Sequence, residues 1–246
     1  MFETIASFFF TILYQPLFNG LVLLYNYIPG HDFGAAIIFL TLIIRLVLYP
    51  ISVKAVNSQR SLQKLQPQMK EIQEKYKTDK EKQAKEVLDL YKKEKINPFS
   101  GLLLALIQLP ILIALYRVFW SGLNPKELAY LYSFVANPGH INSMFLHIVD
   151  LAKPNMILAV LAGLTQYFQT KMLSPKIEAK KDQQGGAADF SQAMQKQALY
   201  FFPVFTIIIL INLPSALGLY WTVSGIFSIV QQYLIVKVHA KPEVNK

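Results

Sequence analysis

Residues 33–53 read FGAAIIFLTLIIRLVLYPISV, and Arg45 is the only charged residue among them. About 20 such residues suffice for a helix to cross a bilayer. An arginine at the centre of a spanning helix costs about 2.5–3.5 kcal/mol on insertion scales. It lies about 10 residues, or roughly 15 Å, from either end of the run, which is too far for easy snorkelling. We favour a functional charge that faces a wet cavity, and a structural arginine paired inside a helical bundle is the alternative.

The rest of the chain is also too apolar for an ordinary soluble domain. Of its 246 residues 53% are hydrophobic, and they come in long blocks, which predicts an all-α, multi-pass membrane protein. The absence of cysteine excludes disulfides, thiol catalysis, Cys-ligated metals and a lipid-anchor cysteine. The net charge of +9 is unevenly distributed, so we interpret it as a topology signal and expect no DNA partner.

Five blocks predict a transmembrane core. They are residues 33–53, 99–120, 154–172, 197–212 and 215–236. The third and fourth are short, which implies a locally thinned bilayer or shelter by neighbouring helices.

The loops predict the orientation of these spans. Residues 54–98 hold 12 Lys/Arg and 7 Asp/Glu, whereas the loop 121–153 holds only Lys126 and Lys153 as basic residues. The positive-inside rule places 54–98, 173–196 and the tail 237–246 in the cytoplasm and the N-terminus outside. For residues 1–32, which contain no Lys or Arg, we favour a helix at the outer interface over a sixth span.

The two cytoplasmic loops differ in pattern. In residues 54–98 two apolar stripes flank a turn, which predicts an antiparallel coiled-coil hairpin. The first stripe is Leu62, Leu65, Met69, Ile72 and Tyr76, and the second is Ala84, Val87, Leu88 and Tyr91. The lysines of this hairpin suit anionic lipid headgroups or ribosomal RNA, and the sequence does not decide between them. The loop 173–196 has Gly185-Gly186 near its centre and no stripe, so we predict that it is mobile.

Several polar side chains lie inside the predicted spans. Each is typical of a contact between helices, but together with Arg45 they predict a hydrophilic cavity within the bilayer. They are Gln108, Thr165, Gln166, Gln169 and Trp221.

The same segments resemble the YidC/Oxa/Alb membrane protein insertases. Residues 40–76, LTLIIRLVLYPISVKAVNSQRSLQKLQPQMKEIQEKY, are similar to that family's first core span and hairpin. Residues 96–119, INPFSGLLLALIQLPILIALYRVF, resemble its second span, Gln166-Tyr167-Phe168-Gln169 its third, and residues 213–235, LPSALGLYWTVSGIFSIVQQYLI, its fifth.

The resemblance implies a groove that is open to the cytoplasm and to lipid but closed outside. It implies that the groove arginine, glutamine and tryptophan of the family fall on Arg45, Gln169 and Trp221. The expected function is insertion of nascent membrane proteins into the cell membrane, with the ribosome and the Sec translocon as undecided partners. The chain resembles a short form without a large extracytoplasmic domain, and its short tail makes ribosome docking through the tail unexpected.

No enzymatic chemistry is predicted. The sequence has no GxxxxGK[ST] nucleotide motif, and His31, His140, His147 and His239 show no ligand spacing, so we expect no cofactor, no metal and no catalytic residue. The competing function is a small-solute or anion transporter or channel with Arg45 as the anion site. An odd number of spans without an internal repeat argues against repeat-built transporters. A scaffold or assembly chaperone is the third interpretation.

Overall fold

The computed structural model describes residues 2–97, 100–121, 124–173 and 187–239, and they are mostly helical, as predicted. The helices are α1 (Phe2–Phe9), α2 (Gln15–Tyr27), α3 (Phe33–Val47), α4 (Tyr49–Lys75), α5 (Lys80–Lys93), α6 (Ser100–Ser121), α7 (Met156–Leu173), α8 (Ala187–Leu210) and α9 (Ser215–His239). A π-helical turn, Phe10–Tyr14, joins α1 to α2, and β1 (Met144–Phe145) pairs antiparallel with β2 (Val149–Asp150).

The stretch 33–53 is not one straight helix. α3 ends at Val47, and α4 leaves it at an angle of 64°. Pro50 in the first turn of α4 explains the break, because proline has no N–H to donate to the preceding turn and its ring clashes there. Arg45 therefore lies in the last turn of α3, close to the bend, rather than at the centre of a continuous span.

The fourth predicted span begins earlier than its apolar block. α8 starts at Ala187, so residues 187–196 are helical although we predicted a mobile loop over 173–196. The segment is rich in alanine, glutamine and methionine, which are strong helix formers, and it extends the apolar helix into the polar loop. The remainder of that loop, 174–186, and the tail residues 240–246 lie outside the described residues.

Length and apolarity single out one described helical stretch, Ala6–Tyr27, as sufficient by itself to cross a membrane. The bent pair α3–α4 passes the same test only when its two helices are taken together, and Ile107–Ser121 and Leu199–Leu210 are shorter apolar helices.

The hairpin α4–α5 is antiparallel. In its seam, the face along which α4 and α5 pack, Leu90 replaces one member of the predicted stripe, Leu88. The Tyr91 hydroxyl donates to Met69 Sδ at 3.4 Å, and Gln83 Nε2 donates to the Gln73 carbonyl at 2.8 Å. Leu90 is 9% exposed, whereas Leu88, which we had placed in the stripe, is 55% exposed. Leu88 and Leu90 are two residues apart and so face opposite sides of α5.

Glycines let α7 pack closely between α8 and α9. A Cβ on Gly163 would lie 2.5 Å from Ile207 Cγ1 and 3.0 Å from the Pro203 carbonyl of α8. A Cβ on Gly225 of α9 would lie 2.6 Å from Thr165 Oγ1. Small residues at such contacts are the usual means by which membrane helices approach each other.

Substitution of Gly163 by alanine should therefore destabilise the bundle. We expect Gly163→Ala to lower the melting temperature in detergent, with a cost of about 1–3 kcal/mol typical of overpacking, because the Pro203 backbone cannot retreat without moving α8. Gly20→Ala is the matched control, since its Cβ would meet Leu40 Cδ1 at an ordinary 3.4 Å. Equal melting temperatures for the two variants would contradict close packing at Gly163.

The loop between α6 and α7 follows α2 along most of its length. The Tyr14 hydroxyl donates to Glu127, Asn19 Nδ2 donates to the Tyr130 carbonyl at 3.1 Å, and Asn26 Nδ2 donates to the Ala136 carbonyl at 2.7 Å. The same loop is fixed near the start of α9, where the backbone N–H of Ser215 donates to the Lys153 carbonyl at 3.0 Å. α2, the loop and the start of α9 thus form one layer at one end of the bundle.

Candidate functional site

A cavity of about 480 Å³ lies among α3, α4, α6, α7 and α9. The residues that line it are Arg45 from α3; Gln59, Leu62, Gln63 and Gln66 from α4; Gln108 and Leu112 from α6; Gln166, Gln169, Thr170 and Leu173 from α7; and Tyr220, Trp221, Ser224 and Gly225 from α9. Six glutamines lie beside a single arginine, three of them on α4, whose other residues include many charged ones, and three on the apolar helices α6 and α7.

Arg45 supplies the charge of this cavity. Of the lining residues that the structure describes, it alone is charged. Within the described ranges, the ion pairs closer than 4.0 Å join Lys92 to Asp89 and Lys153 to Asp150, and Arg45 belongs to neither. Its Nε is buried and has no hydrogen-bond partner in that part of the chain. The guanidinium is therefore available to an acidic group that enters the cavity.

Hydrogen bonds hold two of the cavity's glutamines, one on α6 and one on α7. Gln108 Nε2 donates to the Tyr220 hydroxyl, and Thr206 Oγ1 on α8 donates to Gln166 Oε1 at 2.6 Å. Gln63 Nε2 and Ser224 Oγ are buried without a partner among the described residues. Because buried polar groups in proteins nearly always have partners, these atoms indicate a site that meets water or the polar groups of a passing chain.

The structure brings together five of the six residues singled out from the sequence. Arg45, Gln108, Gln166, Gln169 and Trp221 all line the cavity. Thr165 is not among the lining residues: its hydroxyl donates to the Ala162 carbonyl at 2.9 Å, and its side chain lies against Gly225. The geometry gives Thr165 a packing position between α7 and α9.

Sequence reasoning missed the wall that α4 contributes. Gln59, Gln63 and Gln66 recur at intervals of four and three and so share one face of α4. The signal was visible in the sequence, but we assigned the whole of residues 54–98 to a hairpin remote from the spans. Leu62, which we placed in the hairpin stripe, also lines the cavity.

The site offers binding groups rather than reactive ones. Its polar atoms are amide donors and acceptors, hydroxyls and one cation. In the part of the chain that the structure describes, no group of three or more His, Asp or Glu side chains is placed to hold a metal ion. Such a lining can solvate a polar peptide segment inside an apolar bundle.

Comparison with known proteins identifies the family. Residues 23–242 match the family described as 60Kd inner membrane protein. The chain is 34% identical over 206 residues to the membrane protein insertase YidC of Fusobacterium nucleatum, covering 84% of this chain and 87% of that protein. It is 36% identical over 218 residues to the YidC of Clostridium tetani, covering 89% and 88%.

A longer relative and a solved structure also match this chain. The chain is 33% identical to the YidC of Campylobacter jejuni over 96% of its own length but spans only 40% of that protein. A crystal structure of an active YidC insertase with its first transmembrane domain resolved superposes with a TM-score of 0.56 at 26% identity, over 89% of this chain and 46% of that one. These matches confirm the resemblance read from the sequence, and the chain belongs to the 60Kd inner membrane protein family, whose relatives named here are YidC membrane protein insertases rather than enzymes.

Proposed function

We propose that this chain inserts membrane proteins into the bilayer by receiving their polar segments in the cavity around Arg45. The observation that carries the proposal is the cavity itself, in which one unpaired cation and six glutamines lie among the apolar helices α3, α6, α7 and α9 and the polar helix α4. Membership of an insertase family supports the same conclusion.

The proposed transmembrane core consists of α3, α6, α7, α8 and α9. Most of their exposed side chains are bulky and apolar, as lipid contact requires. α3 has 15 residues and α7 has 18, which correspond to about 22 and 27 Å against a hydrocarbon thickness of about 30 Å. Helices this short favour a thinned bilayer beside the cavity.

The hydrogen bonds of α2 support an interfacial position for residues 1–32. From Tyr14 to Asn26 the helix advances about 18 Å, and the α6–α7 loop accompanies it over that distance. Irregular backbone does not face lipid within the hydrocarbon, so a helix bonded to a loop along its length is better placed at the membrane surface. The alternative, a sixth span, agrees with the length of Ala6–Tyr27 but requires this loop to enter the bilayer.

The mechanism follows from the cost of moving polar groups through hydrocarbon. A polar or acidic segment that leaves water loses its hydration, and the glutamine amides replace part of it. Arg45 attracts an acidic residue to the inner part of the cavity, and the thin bilayer shortens the remaining path. The substrate's apolar helix then moves into lipid, driven by burial of its surface. No nucleotide is required in this scheme.

Reconstitution tests the proposal. We expect the purified protein in liposomes to raise the inserted fraction of a small single-span protein above that of empty liposomes. Flux of chloride and phosphate, measured on the same vesicles, discriminates the transporter alternative. Anion flux that depends on Arg45, without any gain in insertion, would replace the insertase proposal with a transporter.

Cysteine labelling tests the proposed orientation. We expect an impermeant maleimide added from outside intact cells to react with Asn137→Cys and not with Lys75→Cys or Lys181→Cys. The reason is that the lysine-rich loops should remain in the cytoplasm. Labelling after lysis should reach all three positions and serves as the control. Outside labelling at position 75 would reverse the whole arrangement.

A further inference from the structure

A second cavity lies outside the polar one, between the α1–α2 segment, α3 and α6. It measures about 740 Å³, and every described residue that lines it is apolar. Leu13 and Leu17 line it from the N-terminal segment, Ile43 and Val47 from α3, and Ile107 and Pro110 from α6. We call this space the apolar crevice. Ile43, Ile44 and Val47 of α3 line the crevice, and Arg45 does not.

An exposed arginine, Arg117, lies on α6 beyond one end of the crevice. Arg117 follows Pro110 by seven residues, so the two share a face of α6 two turns apart. Its guanidinium carbon lies 4.8 Å from the ring centre of Tyr14 and 5.8 Å from that of Phe10. Stacking on aromatic faces leaves the N–H edge of a guanidinium free to bind an anion.

The charges around Arg117 leave it without a close carboxylate. The ion pairs found within 4.0 Å in the described ranges do not include it. Glu127, the nearby acidic group, accepts a hydrogen bond from the Tyr14 hydroxyl. This end of the crevice therefore attracts negative charge.

The dimensions suit one leaflet of a bilayer. Arg117 and Ile107 are ten residues apart, or about 15 Å along the axis of α6. The hydrocarbon core is about 30 Å thick, so each leaflet contributes about half of it. A lipid whose phosphate lies at Arg117 has its acyl chain at the depth of the crevice.

We propose that Arg117 and the apolar crevice form a binding site for one anionic glycerophospholipid, with an acyl chain in the crevice and the phosphate on the guanidinium. The lipid belongs to the leaflet that meets the Arg117 end of α6. In this position it fills the space beneath the α1–α2 segment. The described residues that line the crevice are all different from those that line the cavity around Arg45.

Native mass spectrometry of the full chain in detergent tests the site. Phosphatidylglycerol and phosphatidylcholine with identical acyl chains are titrated separately. We expect one saturable lipid per protein and a preference for phosphatidylglycerol of about fivefold, the effect of one basic residue near a membrane surface. Arg117→Gln should abolish the preference and Arg117→Lys should retain most of it, whereas Lys126→Gln, which removes a cation outside the crevice, should leave it unchanged.

A second pair of variants tests the crevice itself. Ile43→Trp fills the crevice and should weaken both lipids equally, while Ile113→Trp, at an exposed residue of α6 that does not line it, should weaken neither. A preference that survives Arg117→Gln, binding without saturation, or equal effects of the two tryptophan variants would each overturn the proposal.

Discussion

Arg45→Ala should lower the insertion of substrates with an acidic translocated segment by tenfold or more, and should change little for a matched neutral segment. The expected loss corresponds to a charge–charge attraction of about 1–4 kcal/mol in a partly dry site. A neutral segment keeps the benefit of the glutamines and the thinned bilayer. The measurement is insertion efficiency in proteoliposomes for two substrates that differ only in tail charge.

Three further measurements separate charge from packing at this position. Arg45→Lys should retain much of the activity, because it keeps the cation. Arg45→Glu should be worse than alanine for the acidic tail, because it repels the carboxylate. The melting temperature of each variant is the control. If both substrates lose insertion equally, in proportion to the fall in melting temperature, Arg45 is a structural residue and the electrostatic role is wrong.

Leu90→Asp should open the α4–α5 hairpin, whereas Leu88→Asp should not. Leu90 is buried in the seam and Leu88 is exposed on the opposite face. Removal of a buried leucine costs about 2–5 kcal/mol, and a buried carboxylate adds to that cost. Exposed substitutions usually change stability by less than about 0.5 kcal/mol. Limited proteolysis between residues 60 and 95 should accelerate more than tenfold in the first variant only, since cleavage follows the population of the open form.

The pair also distinguishes two registers of the hairpin. The sequence stripe placed Leu88 in the seam, whereas the burial of Leu90 and the exposure of Leu88 place Leu90 there. Equal protease sensitivity of the two variants would contradict the structural register. Greater sensitivity of the Leu88 variant would restore the register that we predicted from the stripe.

Periodicity and composition were sufficient to predict a mostly helical chain. Long apolar blocks with few charges have few alternatives, and the observed ends of α6, α7 and α9 lie close to the predicted ones. The early start of α8 was missed because glycines and lysines just before it indicated a loop. Local helix propensity at Ala187 and beyond outweighed that signal.

The candidate site was predictable where an expensive residue appeared in an apolar block. Arg45 could be named in this way, since a charge in hydrocarbon is costly. Gln169 and Trp221 were named from the resemblance to the insertase family. The glutamines of α4 could not be predicted in this way. They lie among charged residues, where a polar amide is common and gives no signal of a site. Only the 64° bend brings their face back against the bundle, and one proline sets that angle through a backbone effect that periodicity does not report.

The bend between α3 and α4 is a point about which α4 can rotate as a unit. The helix extends over 27 residues, or about 40 Å, from the bend to the turn of the hairpin, with Pro67 inside it. Gln231 Nε2 of α9 donates to Ser52 Oγ at 2.6 Å and so holds the first turn of α4, next to the bend, against α9. A rotation of about 10° about the bend carries the far end through roughly 7 Å, but Gln59 through less than about 3 Å. A displacement of the hairpin turn thus reaches the glutamines of α4 reduced in proportion to their distance from the bend, to less than about 3 Å at Gln59 and about 4.5 Å at Gln66.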